Sequence, residues 1–443
     1  MKYKTIVDVK RFLNEYIPSI DDRHNGLQKF ERVKHFMHLL GNPQNKLKVI
    51  HIAGTSGKGS TSQIIAKILT KHGFKTGLTV SPHIVDLRER TQINCENISE
   101  DKYIQYLDEM IPSILKISNS TFGKPTFFEI AIAHAYYSFW KEKVDYAIIE
   151  TGMGGRYDAS NTASNSDKLC VLTKIGFDHQ EFLGNSIFQI ALEKAEIIHE
   201  GNFTLSSIQS KEAEKAIDTV AKIKKTKVQY ILVPKNVTMT KSNTEFNFSF
   251  KNIQIENLKI SLLGAYQTEN VTLAIAAVYE LGERDRFYVD EKVVRDAVRM
   301  IDIPGRFQIS TCYGKTIVID GAHNTQKMDA FISSLKKIFP DTQFDFLLAF
   351  KKGKDVNSML KIITPIAKRI YITEFAIYDQ GLKLKPITTQ VCIDMLKSQG
   401  YDYYIAEKNA ENSLHLAMSS PNNILVITGS MYLVSELYDK IHS

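Results

Sequence analysis

Apolar positions along the chain fall into alternating helix-like and strand-like stretches. Residues 5–40 read as two helices around positions 18 to 25. The second carries Phe30, Val33, Phe36, Met37 and Leu40 at helical spacing before Gly41-Asn42-Pro43 ends it. The segment from 48 begins as a short strand with Val49, Ile50 and Ile52. It breaks into glycines, and from Ser60 a helical pattern with Ile64, Ile65, Ile68 and Leu69 runs to Gly73. Strands are expected at 76–80, 144–150 and 169–175, and helices over 100–117 and from Pro125 through Trp140. Residues 227–262 alternate apolar and polar about a Ser242-Asn243 turn, which predicts a small antiparallel insert, and Gly264 opens a helix to about Leu281.

Ile303-Pro304-Gly305-Arg306 interrupts this pattern, and strand–helix alternation restarts after it. Strands at 315–320, 344–350, 369–373 and 423–428 alternate with helices at 325–339, 356–367, 387–399 and 431–441. That is the pattern of parallel βαβ units. The expected fold class is α/β: a domain over 1–303 with a mostly parallel sheet and the small β insert, then a Rossmann-like domain over 304–443.

Composition narrows the function. Over 443 residues, 43% hydrophobic and 24% charged content is ordinary for a globular chain, and the net charge of +7 suits anionic ligands. No dense Lys/Arg run supports nucleic-acid binding. Lys351-Lys352-Gly353-Lys354 comes nearest and reads as a solvated loop. Cys95, Cys170, Cys312 and Cys392 are far apart, which argues against a zinc site or a disulfide framework and for a cytoplasmic protein with reduced thiols. The first residues lack a signal peptide's apolar core, and no run of about 18 apolar residues predicts a membrane span.

The strand, glycine turn and helix start at Gly54-Thr55-Ser56-Gly57-Lys58-Gly59-Ser60 form a phosphate cradle. Backbone N–H groups and the helix dipole favour an anion there, Lys58 can reach a β- or γ-phosphate, and the Ser60 hydroxyl can meet magnesium. The segment departs from the ordinary P-loop by having Ile52 in place of its first glycine. Glu150, at the end of an apolar strand downstream, stands where a magnesium-binding acid is usually placed. Ser81, in Ser81-Pro82-His83, is a hydroxyl at a strand's end, and His179 follows another strand. Glu129 falls in a helix's first turn, where an acid favours the dipole. Asp320 and His323 sit at a strand–helix junction, where open α/β sheets present ligand groups, and are expected to contact ATP and position the reacting phosphate.

Ala53-Gly54-Thr55-Ser56-Gly57-Lys58-Gly59-Ser60 resembles the ATP loop of the Mur-ligase superfamily, in particular folylpolyglutamate synthase/dihydrofolate synthase, which usually has Asn where Ser56 stands. Further matches follow in order. They include Glu150-Thr151-Gly152-Met153-Gly154-Gly155-Arg156-Tyr157-Asp158-Ala159-Ser160-Asn161, Glu193-Lys194-Ala195, Gly264-Ala265-Tyr266-Gln267-Thr268-Glu269-Asn270, and Gly429-Ser430-Met431-Tyr432-Leu433-Val434. The resemblance implies magnesium on Ser81, Glu150 and His179, a carbamylated Lys194, nucleotide contacts from Asn270 and Arg306, and a folate site lined by Phe128 and Glu129. Tyr157, Asp158 and Ala159 of the glycine-rich run are placed with that site.

The implied activity is an ATP- and Mg2+-dependent amide ligase adding L-glutamate to a folate or dihydropteroate carboxylate through an acyl phosphate. A monomer is expected. A cell-wall Mur ligase would use the same chemistry but carries a nucleotide-sugar-binding domain ahead of its ATP domain. Only about fifty residues precede Gly54 here, too few for most independent domains. A P-loop nucleotide switch is the alternative from another class, and it would form no amide product.

Overall fold

The computed structural model describes residues 3–18, 26–376 and 385–442. Three sheets carry the fold. The largest contains β1 (Val49–Ala53), β2 (Thr76–Thr79), β3 (Gln92–Ile93), β4 (Glu96–Asn97), β5 (Tyr146–Glu150), β6 (Leu169–Leu172), β7 (Phe203–Ser207) and β8 (Val228–Ile231). Their spatial order is β4-β3-β2-β5-β1-β6-β7-β8. From β2 to β8 all pairs are parallel, and β3 and β4 add an antiparallel edge.

Helices cover both faces, as a parallel sheet requires. They are α1 (Ile6–Asn14), α2 (Gly26–Leu39), α3 (Lys58–Lys71), α4 (Glu100–Ser118), α5 (Phe127–Lys141), α6 (Gln180–Leu183), α7 (Ile187–Ala195), α8 (Lys211–Ile223), α9 (Ala265–Asp285) and α10 (Glu291–Arg299). One face packs α3 and α9 over Ile50, Ile52, Ile148 and Val171; the other packs α2, α4 and α5 over Val49, Ala147 and Ile149. The middle sheet is antiparallel, ordered β11-β10-β9, from β9 (Lys235–Met239), β10 (Thr244–Phe250) and β11 (Ile253–Ile260).

The last sheet contains β12 (Gln308–Cys312), β13 (Lys315–Ile319), β14 (Phe344–Leu348), β15 (Ala367–Glu374), β16 (Tyr404–Asn409) and β17 (Ile424–Thr428). Its order is β12-β13-β17-β14-β15-β16, parallel except for β12. Around it lie α11 (Thr325–Ile338), α12 (Val356–Ile363), α13 (Thr389–Ser398), α14 (Ala410–Met418) and α15 (Met431–His442).

The α/β class and the mostly parallel sheets match the expectation. Three details differ. The antiparallel insert is shorter than 227–262, because β8 leaves it and pairs in parallel with β7 at the edge of the large sheet. Half-buried edge strands alternate whichever way they pair, so the pattern could not distinguish the two. Helix α3 begins at Lys58, two residues before the expected start at Ser60. Strands β12 and β16 and helix α14 carried too little apolar signal to predict; β16 has no buried residue. The loop Asp22-Arg23-His24-Asn25, whose wording departs from the pterin-contacting loop of the resembled family, lies outside the described residues, and Gly26 and Leu27 belong to α2.

The carboxyl ends of β1, β2, β5 and β6 and those of β13, β14 and β17 supply the loops that carry the candidate site residues. This is where open α/β sheets bind ligands.

Candidate active site

All five residues of β1 are buried between β5 and β6, which fixes where the following loop begins. Thr55 and Ser56 donate their backbone N–H groups to the Lys174 carbonyl (2.9 and 3.1 Å), and the Thr55 hydroxyl donates to the Gly176 carbonyl (3.0 Å). The loop is thereby tied to the segment after β6. Gly57 has φ +90° and sits where a Cβ would lie 2.1 Å from Asn270 Oδ1, so only glycine fits beneath α9. It opens α3 with no side-chain cap, leaving the first-turn N–H groups directed into the cleft. Ser56 Oγ is buried without a hydrogen-bond partner. An uncapped helix start and an orphan hydroxyl fit the phosphates of a nucleotide.

Two lysines converge on one carbonyl here: Lys58 Nζ and Lys194 Nζ donate to Gly54 O at 3.3 and 2.9 Å. Lys194 is 4% exposed: it points into the site and not out from the surface of its helix. Burial, then the charge of Lys58, pulls its amine down to about 7. Glu150 is buried beside Gly59, and its Oε2 accepts the Ser81 N–H at 2.9 Å. Burial raises its pKa against the opposing pull of Lys58. Thus Ser81 and Glu150 adjoin the phosphate loop. His179 caps α6 beside Asp178, with Nε2 3.9 Å from Oδ1, and burial followed by nearby lysines lowers it to about 3. Among the described residues no group of three His, Cys, Asp or Glu side chains is arranged to hold a metal. Ser81 and Glu150 do fit magnesium, which takes one or two protein oxygens and fills its shell with water and phosphate.

The facing wall comes from the last sheet. Asp320 follows β13 and is buried. Its Oδ2 accepts from Tyr266 OH (2.9 Å) and Phe307 N (3.0 Å), and its Oδ1 from Ala322 N (2.8 Å). Its carboxylate therefore ties α9 to the turn bearing Arg306, whose guanidinium lies against Met431 at the start of α15. His323 donates from Nδ1 to Gly321 O (2.7 Å) and accepts at Nε2 from Lys327 Nζ (3.0 Å). Nearby, Lys354 Nζ forms a short ion pair with Asp178 Oδ1, the two side chains only 12% and 8% exposed. Asn324 Nδ2 lies 3.5 Å from the other Asp178 oxygen. This corrects the reading of Lys351-Lys352-Gly353-Lys354 as a solvated loop: its last lysine is a cross-cleft contact.

The residues placed at a folate site lie on the opposite flank of the phosphate loop. Phe128 packs on Gly152, where a Cβ would lie 2.3 Å from its ring. Glu129 closes the capping box of α5 with Thr126 and also receives Arg32 in a two-point ion pair, 2.8 Å from Nε and 2.7 Å from Nη2. Tyr157 is 40% exposed and meets Phe30 edge-on, with ring centroids 6.2 Å apart. Asp158 and Ala159 are buried; Asp158 accepts from Met153 N (2.9 Å) and Ser160 N (3.0 Å) and holds the glycine-rich run in shape.

Sequence reasoning missed Asp178, Lys327, Lys354, Tyr266 and Arg32. Two had a local signal: Asp178 adjoins His179, and Lys327 stands one helical turn after His323 at a helix start.

Comparison with known proteins adds independent findings. A family model described as Mur ligase middle domain matches residues 52–278, and one described as Dihydrofolate synthetase, C-terminal domain, matches 306–440. A dihydrofolate synthase/folylpolyglutamate synthase of Bacillus subtilis is 30% identical over 414 residues, spanning 93% of this chain and 94% of its own. The folylpolyglutamate synthase of Mycobacterium tuberculosis complexed with ADP shares the fold at 24% identity with a TM-score of 0.89, covering 99% of this chain and 98% of its own. An FPGS–AMPPCP–folate complex matches at 25% identity with a TM-score of 0.82, covering 98% and 99%.

Proposed function

The chain belongs to the dihydrofolate synthase/folylpolyglutamate synthase family of Mur ligases, and from that premise we propose how its residues join L-glutamate to the carboxylate of a folate or dihydropteroate at the cost of ATP. The observation that carries the reading is the uncapped, glycine-built start of α3 beside Lys58, facing a wall of further cations. The division of the sheets on either side of Ile303 supports treating 1–303 and 304–443 as the two working units. The C-terminal family match favours this reading over a cell-wall Mur ligase. Ligase relatives along nearly the whole chain disfavour a nucleotide switch.

A carboxylate is a poor electrophile, so its oxygen must first take the γ-phosphoryl of ATP. The α3 N–H groups, Ser56, Ser60 and Lys58 hold the phosphates; Asn270 supports Gly57 from behind, and Arg306 flanks the nucleotide. Ser81 and Glu150 would hold magnesium, with His179 as the third ligand that the resemblance implies; the ion would neutralise charge on the phosphates. The glutamate nitrogen then attacks the carbonyl carbon. The C–O bond to phosphate breaks, phosphate leaves with the electron pair, and the nitrogen's excess proton goes to solvent. His323 positions the reacting phosphate, and Asp320 holds Tyr266 and the Arg306 turn in place. Phe128, Glu129, Tyr157, Asp158 and Ala159 form the wall for the acid substrate. Lys194, with its amine near neutrality, can add its lone pair to carbon dioxide and lose a proton, giving an anionic carbamate that would help order the surroundings of the magnesium that Ser81 and Glu150 would hold. Four free, widely separated cysteines support a reducing, cytoplasmic setting, and among the described residues no helix is long and apolar enough to cross a membrane.

The test is substrate dependence. Purified protein is expected to release ADP only when a pteroate-type acid and glutamate are both present through turnover, with the amide product seen by mass. ADP release that ignores both, or that answers to a nucleotide-sugar acid instead, rejects the reading.

A further inference from the structure

Lys327 has an unusual place among the cations of the cleft. It sits on the first turn of α11, and its Nζ has a neutral partner, the Nε2 of His323, at 3.0 Å. Among the described residues no carboxylate lies within the 4.0 Å that would make an ion pair with Lys58, Lys194 or Lys327. Exposed lysines such as Lys34, Lys251 and Lys292 have found a carboxylate.

The charge of Lys327 is felt on both walls: by Glu150, Lys194 and Asp178 on the phosphate-loop side and by His323 on its own. Burial, then the charges of Lys58, Arg306 and Lys354, brings its amine down to about 7 against the pull of Asp178. The first turn of α11 abuts the segment that braces the phosphate loop: a Cβ on Gly176 would lie 2.1 Å from Gln326 Oε1, and the Gly176 carbonyl accepts the Thr55 hydroxyl. Cations gathered here repel one another, and Asp178 is already taken by Lys354. Such an arrangement lacks an anion. The anion that Lys58 is placed to grip is the phosphate chain, so the ligand shared by Lys58, Arg306 and Lys327 is its outermost phosphoryl group.

We propose that Lys327 contacts the γ-phosphoryl group as it passes from ATP to the substrate carboxylate, completing from the C-terminal wall the cationic cradle that Lys58 begins on the other. The inference rests on the ligase reading above. In the step it serves, the bond between the γ-phosphorus and the β,γ-bridging oxygen breaks. Its electron pair stays on ADP, a carboxylate oxygen forms the new bond to phosphorus, and no proton moves. Charge spreads over the three equatorial oxygens in the transition state, and a second cation aimed there stabilises it more than it stabilises bound ATP. Lys327 would exchange its imidazole partner for phosphoryl oxygens when the site fills.

The test isolates that step. Rapid-quench measurement of ADP formed from ATP and dihydropteroate or tetrahydrofolate, without glutamate, reads acyl-phosphate formation alone. Lys327→Met is expected to slow this burst by roughly a hundredfold, as loss of one transition-state donor does, while ATP affinity changes little. Lys327→Arg is expected to recover part of the rate. Removing one of several repelling cations is not a threat to folding, and Lys327→Gln, carrying the same loss with a polar side chain, gives the same readout. An unchanged burst with a raised KM for glutamate overturns the proposal and assigns Lys327 to the amino acid. A burst that falls only as far as ATP affinity falls also overturns it, because the contact is then a ground-state clamp. A wild-type enzyme with no acid-dependent burst is a different failure, that of the ligase reading itself.

Discussion

On the phosphate-loop side of the cleft, the groups facing the ligand are backbone N–H donors at the start of α3 and the orphan hydroxyl of Ser56. On the other side they are long side chains that already hold partners: His323 with Lys327, and Lys354 with Asp178 across the gap. The first wall is set by the path of the backbone and cannot reorganise without undoing β1 and α3. The second is set by pairings that an arriving anion can exchange one for another. Preorganised dipoles suit the part of a nucleotide that stays put. Exchangeable side chains suit the part that moves and the substrates that come and go.

The comparison can be broken most forcefully at Glu150, the acid of the rigid wall. Glu150→Ala should remain folded, since it removes a buried carboxylate, yet lose turnover by on the order of a thousandfold, because metal-held charge is worth several kcal/mol in the transition state. Near-normal turnover at saturating magnesium would reject its assignment.

A smaller effect sharpens the contrast on the exchangeable wall. Burial alone would raise the Asp178 carboxyl, but His179, His323, Lys354 and Lys327 together hold it well below the usual carboxylate range. It is one anion facing two lysines, Lys354 and Lys327, and two imidazoles. Asp178→Asn should therefore cost roughly 3 kcal/mol in chemical denaturation, as breaking a buried pair does, and Lys354→Met clearly less. Equal losses would mean that the ion pair is private to these two residues.

The smallest effect is a pH trend. Lys194 and Lys327, one on each wall, both have native values of about 7 against an unfolded value of 10.5. Between those limits the unfolded chain binds more protons, so stability of the ligand-free protein rises with pH from about 7 toward 10.5 on their account. Thermal melts in CO2-free buffer across that range should show the rise flattened in Lys194→Met and again in Lys327→Met. A rise undiminished in either variant would show that its lysine stays charged in the native state.

How much of this was legible in the sequence follows the same division. The phosphate loop is a local arrangement: Val49, Ile50 and Ile52 predict its strand, the glycines its turn, and Ile64 to Leu69 its helix. The carboxylate ending β5 was legible because an apolar strand predicts its own end. The exchangeable wall is built from groups far apart in the chain. Lys354 looked solvated because a basic run gives no sign of the acid it will meet, and Asp178 stands 176 positions away. For Glu129, the dipole-favoured position in the first turn of α5 was readable, but Arg32, 97 residues earlier, was not. In the C-terminal sheet the buried strands β13, β14, β15 and β17 announced themselves, whereas exposed β16 left no apolar trace.

Helix α9 touches both walls within its first two turns. Tyr266 holds Asp320 on one side, and Asn270 backs Gly57 on the other. Its consequence lies in time rather than in space. A ribosome releases the phosphate loop long before it makes the helix that braces it, and makes Asp320 later still. A growing chain thus carries a nucleotide loop without its support and without any opposing cations. The groups that would direct the phosphoryl group to its acceptor are thus the last of the site to be made.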